Sequence, residues 1–137
     1  MKHIYTLLCF LLIGGVGQVG AFSDVDLEKL KSTNECKKCD FSGANLGGAR
    51  LRATNLAEAD LTGADLTKAY LEATDLTGAN LTMANLTGAF LEGTNLENTD
   101  LTDAVLTDAK LIWVKNLNNA ILCRTTMPDR TVNNSGC

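Results

Sequence analysis

Residues 50–109, broken every twenty residues, read RLRATNLAEADLTGADLTKA, YLEATDLTGANLTMANLTGA and FLEGTNLENTDLTDAVLTDA, and the three lines align without a gap. Within them a leucine returns every fifth residue. Extended outward, the series runs unbroken from Phe41 through Leu46, Leu51, Leu56 and onward to Leu111. Two residues before each stands a small residue, mostly alanine: Ala44, Ala49, Thr54, Ala59, Ala64, Ala69, Thr74. Repetition of this regularity decides the architecture before any single element is assigned.

A period of five suits no straight element. On a helix it advances about 500° per repeat and scatters the leucines around every side. On a straight strand an odd period sends successive leucines to opposite faces. The pattern is consistent only if the chain bends once per repeat, with the small residue and the leucine, two apart, pointing inward together. The pairs between them, such as TG, GG, EG and EN, have turn chemistry. Threonine replaces alanine at Thr54, Thr74 and Thr94, and glutamate follows the leucine at Glu72 and Glu92, both at a spacing of twenty. A twenty-residue period laid over a five-residue one gives four sides per turn. The spacing predicts an all-β solenoid with a square cross-section, its coils stacked about 4.8 Å apart. Leucines and alanines would fill its interior, and stacks such as Thr62, Thr82, Thr102 and Thr67, Thr87, Thr107 would form hydroxyl ladders outside.

The copies ANLGG, ADLTG, ADLTK, ANLTM and ANLTG resemble the pentapeptide-repeat family, whose pattern is A-(N/D)-L-x-x, over residues 39–123. The resemblance implies a right-handed quadrilateral β-helix. It also brings one functional precedent: some cytoplasmic members resemble the shape and charge of duplex DNA and bind DNA gyrase.

Lys2 and His3 precede the apolar run IYTLLCFLLIGGVG, and VGA before Phe22 offers a small-x-small cleavage pattern, so residues 1–21 read as a signal peptide. The run is short for a membrane span. The expected mature chain, from Phe22, is a single exported domain of the periplasm or the secreted fluid, or of a thylakoid lumen in a photosynthetic source, with no membrane association after cleavage. The whole chain carries 12 basic and 16 acidic side chains, and residues 40–122 carry eleven acids against five bases. That balance argues against nucleic acid or an anionic membrane surface as the ligand. Once Cys9 is removed with the signal, four cysteines remain: Cys36, Cys39, Cys123 and Cys137. An even number in an exported chain points to disulfides. The first pair lies at the first coil and the second at the last, about 20 Å away by coil stacking, whereas bridged Cα atoms must lie within about 7 Å. Only Cys36–Cys39 and Cys123–Cys137 satisfy both limits.

The ends of a solenoid expose unpaired backbone and an open core. At the front, SDVDLEKLKSTN has a cap residue at Ser23 or Asp24 and apolar Val25, Leu27 and Leu30, and predicts a short capping α-helix within residues 22–38. After Leu111 the register slips by one, to Leu117 and Leu122, and IWVK reads as the inserted stretch. Residues 124–137, with the only proline, Pro128, read as a C-terminal cap closed by its own disulfide. Cysteine-framed heads and tails of this kind resemble those of exported family members.

The residues offer little catalytic chemistry. His3 is the only histidine, so the mature chain has no histidine for metal binding, nucleophile activation or acid–base catalysis. CKKC at Cys36–Cys39 lacks the βαβ context of a thioredoxin-like site, although a redox or metal-handling role stands as an alternative function. A four-cysteine zinc site would need the two ends to meet. The acidic positions Asp40, Asp60, Asp65, Asp75, Asp100, Asp103 and Asp108 invite hydrolytic or calcium-binding readings, yet Asn or Asp there is the repeat's own default. No enzyme activity, cofactor or metal is expected. One column departs from that default: Arg50, Tyr70, Phe90 and Lys110, with Arg52, Glu72, Glu92 and Ile112 just after the leucines and Trp113 next. This is the candidate contact strip, and the expected function is that of a rigid scaffold for an unidentified protein partner. The alternative drawn from the family is a DNA-mimic gyrase binder.

Overall fold

The structure, a computed structural model, describes residues 23–137. The expected leader at 1–21, and Phe22, lie outside the described residues. The chain winds as a four-sided parallel ladder. Its rungs pair residues twenty apart, from Glu35↔Asn55 through Asp60↔Asn80 and Tyr70↔Phe90 to Asn95↔Lys115. Each rung is an isolated bridge rather than a strand, because the chain stays extended only between two corners.

One repeat accounts for all five of its backbone N–H groups, and this accounting explains the sequence pattern. Asp60 donates down to Cys39 O at 2.8 Å, Leu61 up to Asn80 O at 2.8 Å, and Gly63 up to Thr82 O at 2.8 Å. Ala64 N–H closes the corner on Leu61 O at 3.0 Å. The fifth N–H, of Thr62, points away from both neighbouring coils, and the Asp60 carboxylate accepts it at 3.0 Å. Such an Asx turn is the physical reason for Asn or Asp before each leucine. The same bond recurs at Asp40–Ser42, Asp65–Thr67, Asn80–Thr82 and Asp100–Thr102. The last residue of each corner has a positive φ. Glycine supplies it at Gly43 and Gly63, whereas Met83 and Asp103 in the same column reach φ 60° and 58° with a side chain attached.

The interior is a single cluster of leucines and alanines, with Leu61, Leu71, Leu81 and Leu86 fully buried. Burying each leucine contributes about 1.5–3 kcal/mol before ordering entropy is subtracted. The threonines behave differently from the expected ladders. Among the described residues no hydroxyl-to-hydroxyl bond links Thr62, Thr82 and Thr102, or Thr67, Thr87 and Thr107. The outer Thr77 and Thr87 hydroxyls instead donate to Asp75 and Asn85 of their own coil, each at 2.6 Å. The coil-to-coil hydroxyl bonds are internal: buried Thr74, Thr94 and Thr99 donate to Leu51, Leu71 and Leu76 carbonyls at 2.5, 2.6 and 2.8 Å. A hydroxyl inside the solenoid must find an acceptor, and the corner carbonyl one coil away is the nearest.

Helix α1 spans Asp24–Thr33, with Ser23 as N-cap accepting from Asp26 N–H and Asn34 closing it in a left-handed conformation. Leu27 and Leu30 join the core, but Val25 is 77% exposed, so the apolar stripe is narrower than the sequence suggested. The helix is tied to the first coil by Asp26 Oδ2, which accepts Asp40 N–H at 2.7 Å, and by Ser23 N–H donating to Asp40 O at 2.9 Å. The register slip is also placed differently from expectation. Lys115 still pairs at a spacing of twenty with Asn95, whereas Ile121 pairs with Asp100. The extra residue therefore lies after IWVK, where Leu117–Asn119 form a 3-10 turn entered through Asn116 at φ 59°. Beyond it, β1 (Thr125–Thr126) and β2 (Val132–Asn133) make an antiparallel hairpin.

Candidate contact face and solenoid ends

The third side of the solenoid carries the candidate strip. Parallel rungs Arg50↔Tyr70, Tyr70↔Phe90 and Phe90↔Lys110 stack its four residues in one column. The Tyr70 and Phe90 rings lie face to face, with centroids 4.9 Å apart and planes inclined by 7°. Coil spacing alone imposes this stacking, since side chains at equivalent positions must follow one another at the ladder repeat. Beside the rings, Arg52 Nη2 meets Glu72 Oε1 at 2.6 Å. Glu72 holds the guanidinium further above its ordinary range, first through this hydrogen bond and then through its charge, with Glu92 adding to it. One oxygen of each glutamate, Glu72 Oε2 and Glu92 Oε2, is buried and lacks a hydrogen-bond partner among the described residues. Ile112 continues the Arg52–Glu72–Glu92 column and is 52% exposed; Trp113 occupies the corner itself and is 84% exposed, not packed beneath the tail.

This side also breaks the hydrogen-bond rule of the others. With Arg50, Tyr70, Phe90 and Lys110 in place of Asn or Asp, there is no side-chain acceptor at the Asx position. Accordingly the N–H groups of Arg52, Glu72, Glu92 and Ile112 have no protein acceptor among the described residues. Each rung forgoes a bond of roughly 0.5–1.5 kcal/mol that the neighbouring sides keep through their first three rungs, until Val105 and Lys115 interrupt them. The sequence showed the unusual residues but not this cost, which becomes visible only when every N–H is traced.

The acidic positions considered for catalysis or calcium serve the corners and the ends. Asp40 spends one oxygen on the Ser42 hydroxyl and N–H, which lowers its pKa. Asp103 is bridged by Arg124 in a two-pronged pair, Nε–Oδ1 at 2.7 Å and Nη2–Oδ2 at 2.9 Å, and this holds its carboxyl below the usual range. Arg130 reaches Asp108 at 3.5 Å, and Lys37 and Lys38 straddle Glu58 at 3.4 and 3.7 Å. These pairs tie the tail and the first coil to the ladder; exposed pairs are individually weak. Among the described residues no group of His, Cys, Asp and Glu could hold a metal ion, and no helix is long and apolar enough to cross a membrane. Cys36 and Cys39 are bonded with Cα atoms 5.2 Å apart, and Cys123 and Cys137 with Cα atoms 4.7 Å apart. Cys36 and Cys39 are both buried within the core cluster.

A four-sided ladder built on a five-residue unit defines the class. The chain belongs to the pentapeptide-repeat family: the family model for pentapeptide repeats matches in eight copies over residues 35–72, 54–93 and 79–115. Members fold as right-handed β-helices, and that is the fold of this chain. Similar solved structures include HetL, a pentapeptide repeat protein involved in heterocyst differentiation regulation in the cyanobacterium Nostoc sp. strain PCC 7120. It is 30% identical over 72% of this chain and 57% of its own, with a TM-score of 0.37. A pentapeptide repeat protein of the Arabidopsis thaliana thylakoid lumen is 34% identical over 55% of this chain and 56% of its own, TM-score 0.37. Rfr23 from the cyanobacterium Cyanothece 51142 is 23% identical over 70% of this chain and 96% of its own, TM-score 0.37. The chain thus spans little more than half the length of the first two. No curated protein matches it.

Proposed function

We propose that this protein is a non-enzymatic scaffold, exported to an oxidising compartment, whose third side is a docking face for a protein partner. One observation carries the reading. That side gives up its Asx hydrogen bond at all four rungs and presents in exchange Arg50, stacked Tyr70 and Phe90, and Lys110. Local rules are broken in this way where function requires it. Aromatic residues flanked by arginine are also the composition of contact hot spots. Export is supported by the apolar run before Phe22 and by two disulfides in a chain this small, since such bonds persist outside the reducing cytosol. Helix α1 acts as the cap of the first coil, shielding with Leu27 and Leu30 a leucine end that would otherwise meet water.

The test is a variant with Tyr70→Ser, Phe90→Ser and Trp113→Ser, compared with the unaltered protein for co-purification of its partner from the compartment in which it resides. Tyr70 and Trp113 are exposed and half-buried Phe90 stands outside the core cluster, so circular dichroism stays the same while the partner is lost. Undiminished co-purification would end the docking-face reading.

A further inference from the structure

The third side of the ladder stops above Lys110, and the manner of its stopping points to a ligand. In each full coil this side sends two N–H donors upward and takes one bond from above. Leu91 N–H reaches Lys110 O at 2.9 Å, Gly93 N–H reaches Ile112 O at 3.2 Å, and Lys110 N–H reaches down to Ala89 O at 2.8 Å. One coil higher the equivalent groups are Leu111 N–H, Trp113 N–H and Ala109 C=O. None of the three has a partner among the described residues.

The gap has a local cause. After the slip, rungs pair at a spacing of twenty-one, as in Val105↔Thr126, so Thr131 should lie over Lys110. The chain leaves the ladder first. Asp108 N–H still finds Pro128 O at 3.1 Å, but Met127 N–H bonds Thr131 O at 2.8 Å and β2 folds back on β1. The tail then covers a different side, where Gly136 N–H caps Leu122 O at 2.8 Å beside the Cys123–Cys137 bond. The core under the gap is left incompletely sealed. Leu111, Val114 and Leu117 are only partly buried, whereas their counterparts one coil below, Leu91, Thr94 and Leu96, are exposed by 1% or less.

A row of unpaired donors and acceptors flanked by apolar side chains is a template for strand addition. We propose that this edge accepts an extended segment of the partner protein as an additional parallel strand, with an acidic residue over Lys110 and an apolar one over Leu111. The proposal rests on the docking-face reading and names what reaches the end of that face. Charge selects the occupant. Lys110 and Lys115 border the edge, and neither has an ion-pair partner among the described residues, although the rod as a whole is acidic. Opposite charges on neighbouring strands stabilise pairing and like charges oppose it. A second copy of this chain, docking edge to edge so that Leu111 N–H meets Ala109 C=O, would set Lys110 against Lys110.

The experiment uses the whole, disulfide-bonded protein and a blocked hexapeptide, Thr-Ala-Glu-Leu-Thr-Val. Amide hydrogen exchange and the emission of Trp113, the only tryptophan, are followed. At saturating peptide the Leu111 and Trp113 amides slow by roughly tenfold or more, and Trp113 emission shifts to the blue. Lys110→Glu weakens binding of this peptide several-fold and favours the same peptide with lysine in place of glutamate. An emission shift without slowing of both amides, or unchanged binding by Lys110→Glu, overturns the proposal. So does amide slowing that tracks protein concentration without peptide and accompanies a dimer in sedimentation, which would make the occupant a second copy. A variant with only Tyr70→Ser and Phe90→Ser leaves this edge intact and binds the peptide unchanged. Failure of the docking face and failure of the edge therefore give different results.

Discussion

The corner column Gly43, Gly63, Met83, Asp103 has φ values of 67°, 66°, 60° and 58°, which makes it an internal test of how the fold turns. Replacing Gly63 with alanine adds a Cβ into open space, with nothing within 4 Å, and leaves its upward bond to Thr82 O in place. Any loss of stability is then backbone strain alone. Holding an L-residue in the left-handed region costs about 1–2 kcal/mol. The narrower unfolded ensemble of alanine returns about 0.4–1 kcal/mol. The net expectation for Gly63→Ala is a loss of about 1 kcal/mol, or a fall in melting temperature of about 4 °C for a domain of this size. Met83→Gly at the next corner of the same column is the mirror experiment. Its side chain is 60% exposed, so relief of strain outweighs lost contact and stability rises by a fraction of a kcal/mol. Equilibrium urea unfolding of the oxidised protein measures both, with the slope unchanged. A Gly63→Ala protein as stable as the original, or more so, would refute the claim that these corners require positive φ.

Three further outcomes follow from other parts of the ladder. Thr94→Val preserves volume but removes the hydroxyl donated to Leu71 O at 2.6 Å from a fully buried site; urea unfolding should register a loss of about 1 kcal/mol. Asp103 has its pKa lowered by Arg124, so the stabilisation from this pair is present above the ordinary carboxylate pKa and is lost as pH falls through the lowered one. A carbon-detected NMR titration should show the Asp103 midpoint rising toward its ordinary value in Arg124→Ala, and acid unfolding should begin at higher pH. Replacing Cys123 and Cys137 together by serine opens a loop with a sequence separation of 14; the loop-entropy estimate is a loss of about 3 kcal/mol, with the earliest exchange appearing in residues 122–137.

The parts of this fold legible in the sequence are those repeated often enough to be counted. Leucine every five residues and threonine at Thr54, Thr74 and Thr94 define four sides, and the separation of the ends leaves one geometry for the cysteines. The misplaced features are single events decided by contacts distant in sequence. The slip was assigned to IWVK because the leucine spacing breaks there, but the ladder holds through Lys115 and the 3-10 turn at Leu117–Asn119 takes up the extra residue. Threonine ladders were expected outside, yet the coil-to-coil hydroxyl bonds are made inside, where the corner carbonyls of the neighbouring coil are within reach. Of the candidate face, the Arg50–Tyr70–Phe90–Lys110 column was visible as composition. The missing Asx bonds were not, since they emerge only when each N–H is traced to its acceptor, and neither was the open edge at Leu111 and Trp113, which depends on what the C-terminal hairpin fails to cover.

The most direct test of the account is photocrosslinking in the native compartment with benzoylphenylalanine placed at one site per side: Tyr70 on the third side, and Thr62, Thr67 and Thr77 on the other three. The account predicts a discrete crosslinked species from Tyr70 alone, abolished by Phe90→Asp. Equal crosslinking from all four sides, or from a side other than the third, would contradict it.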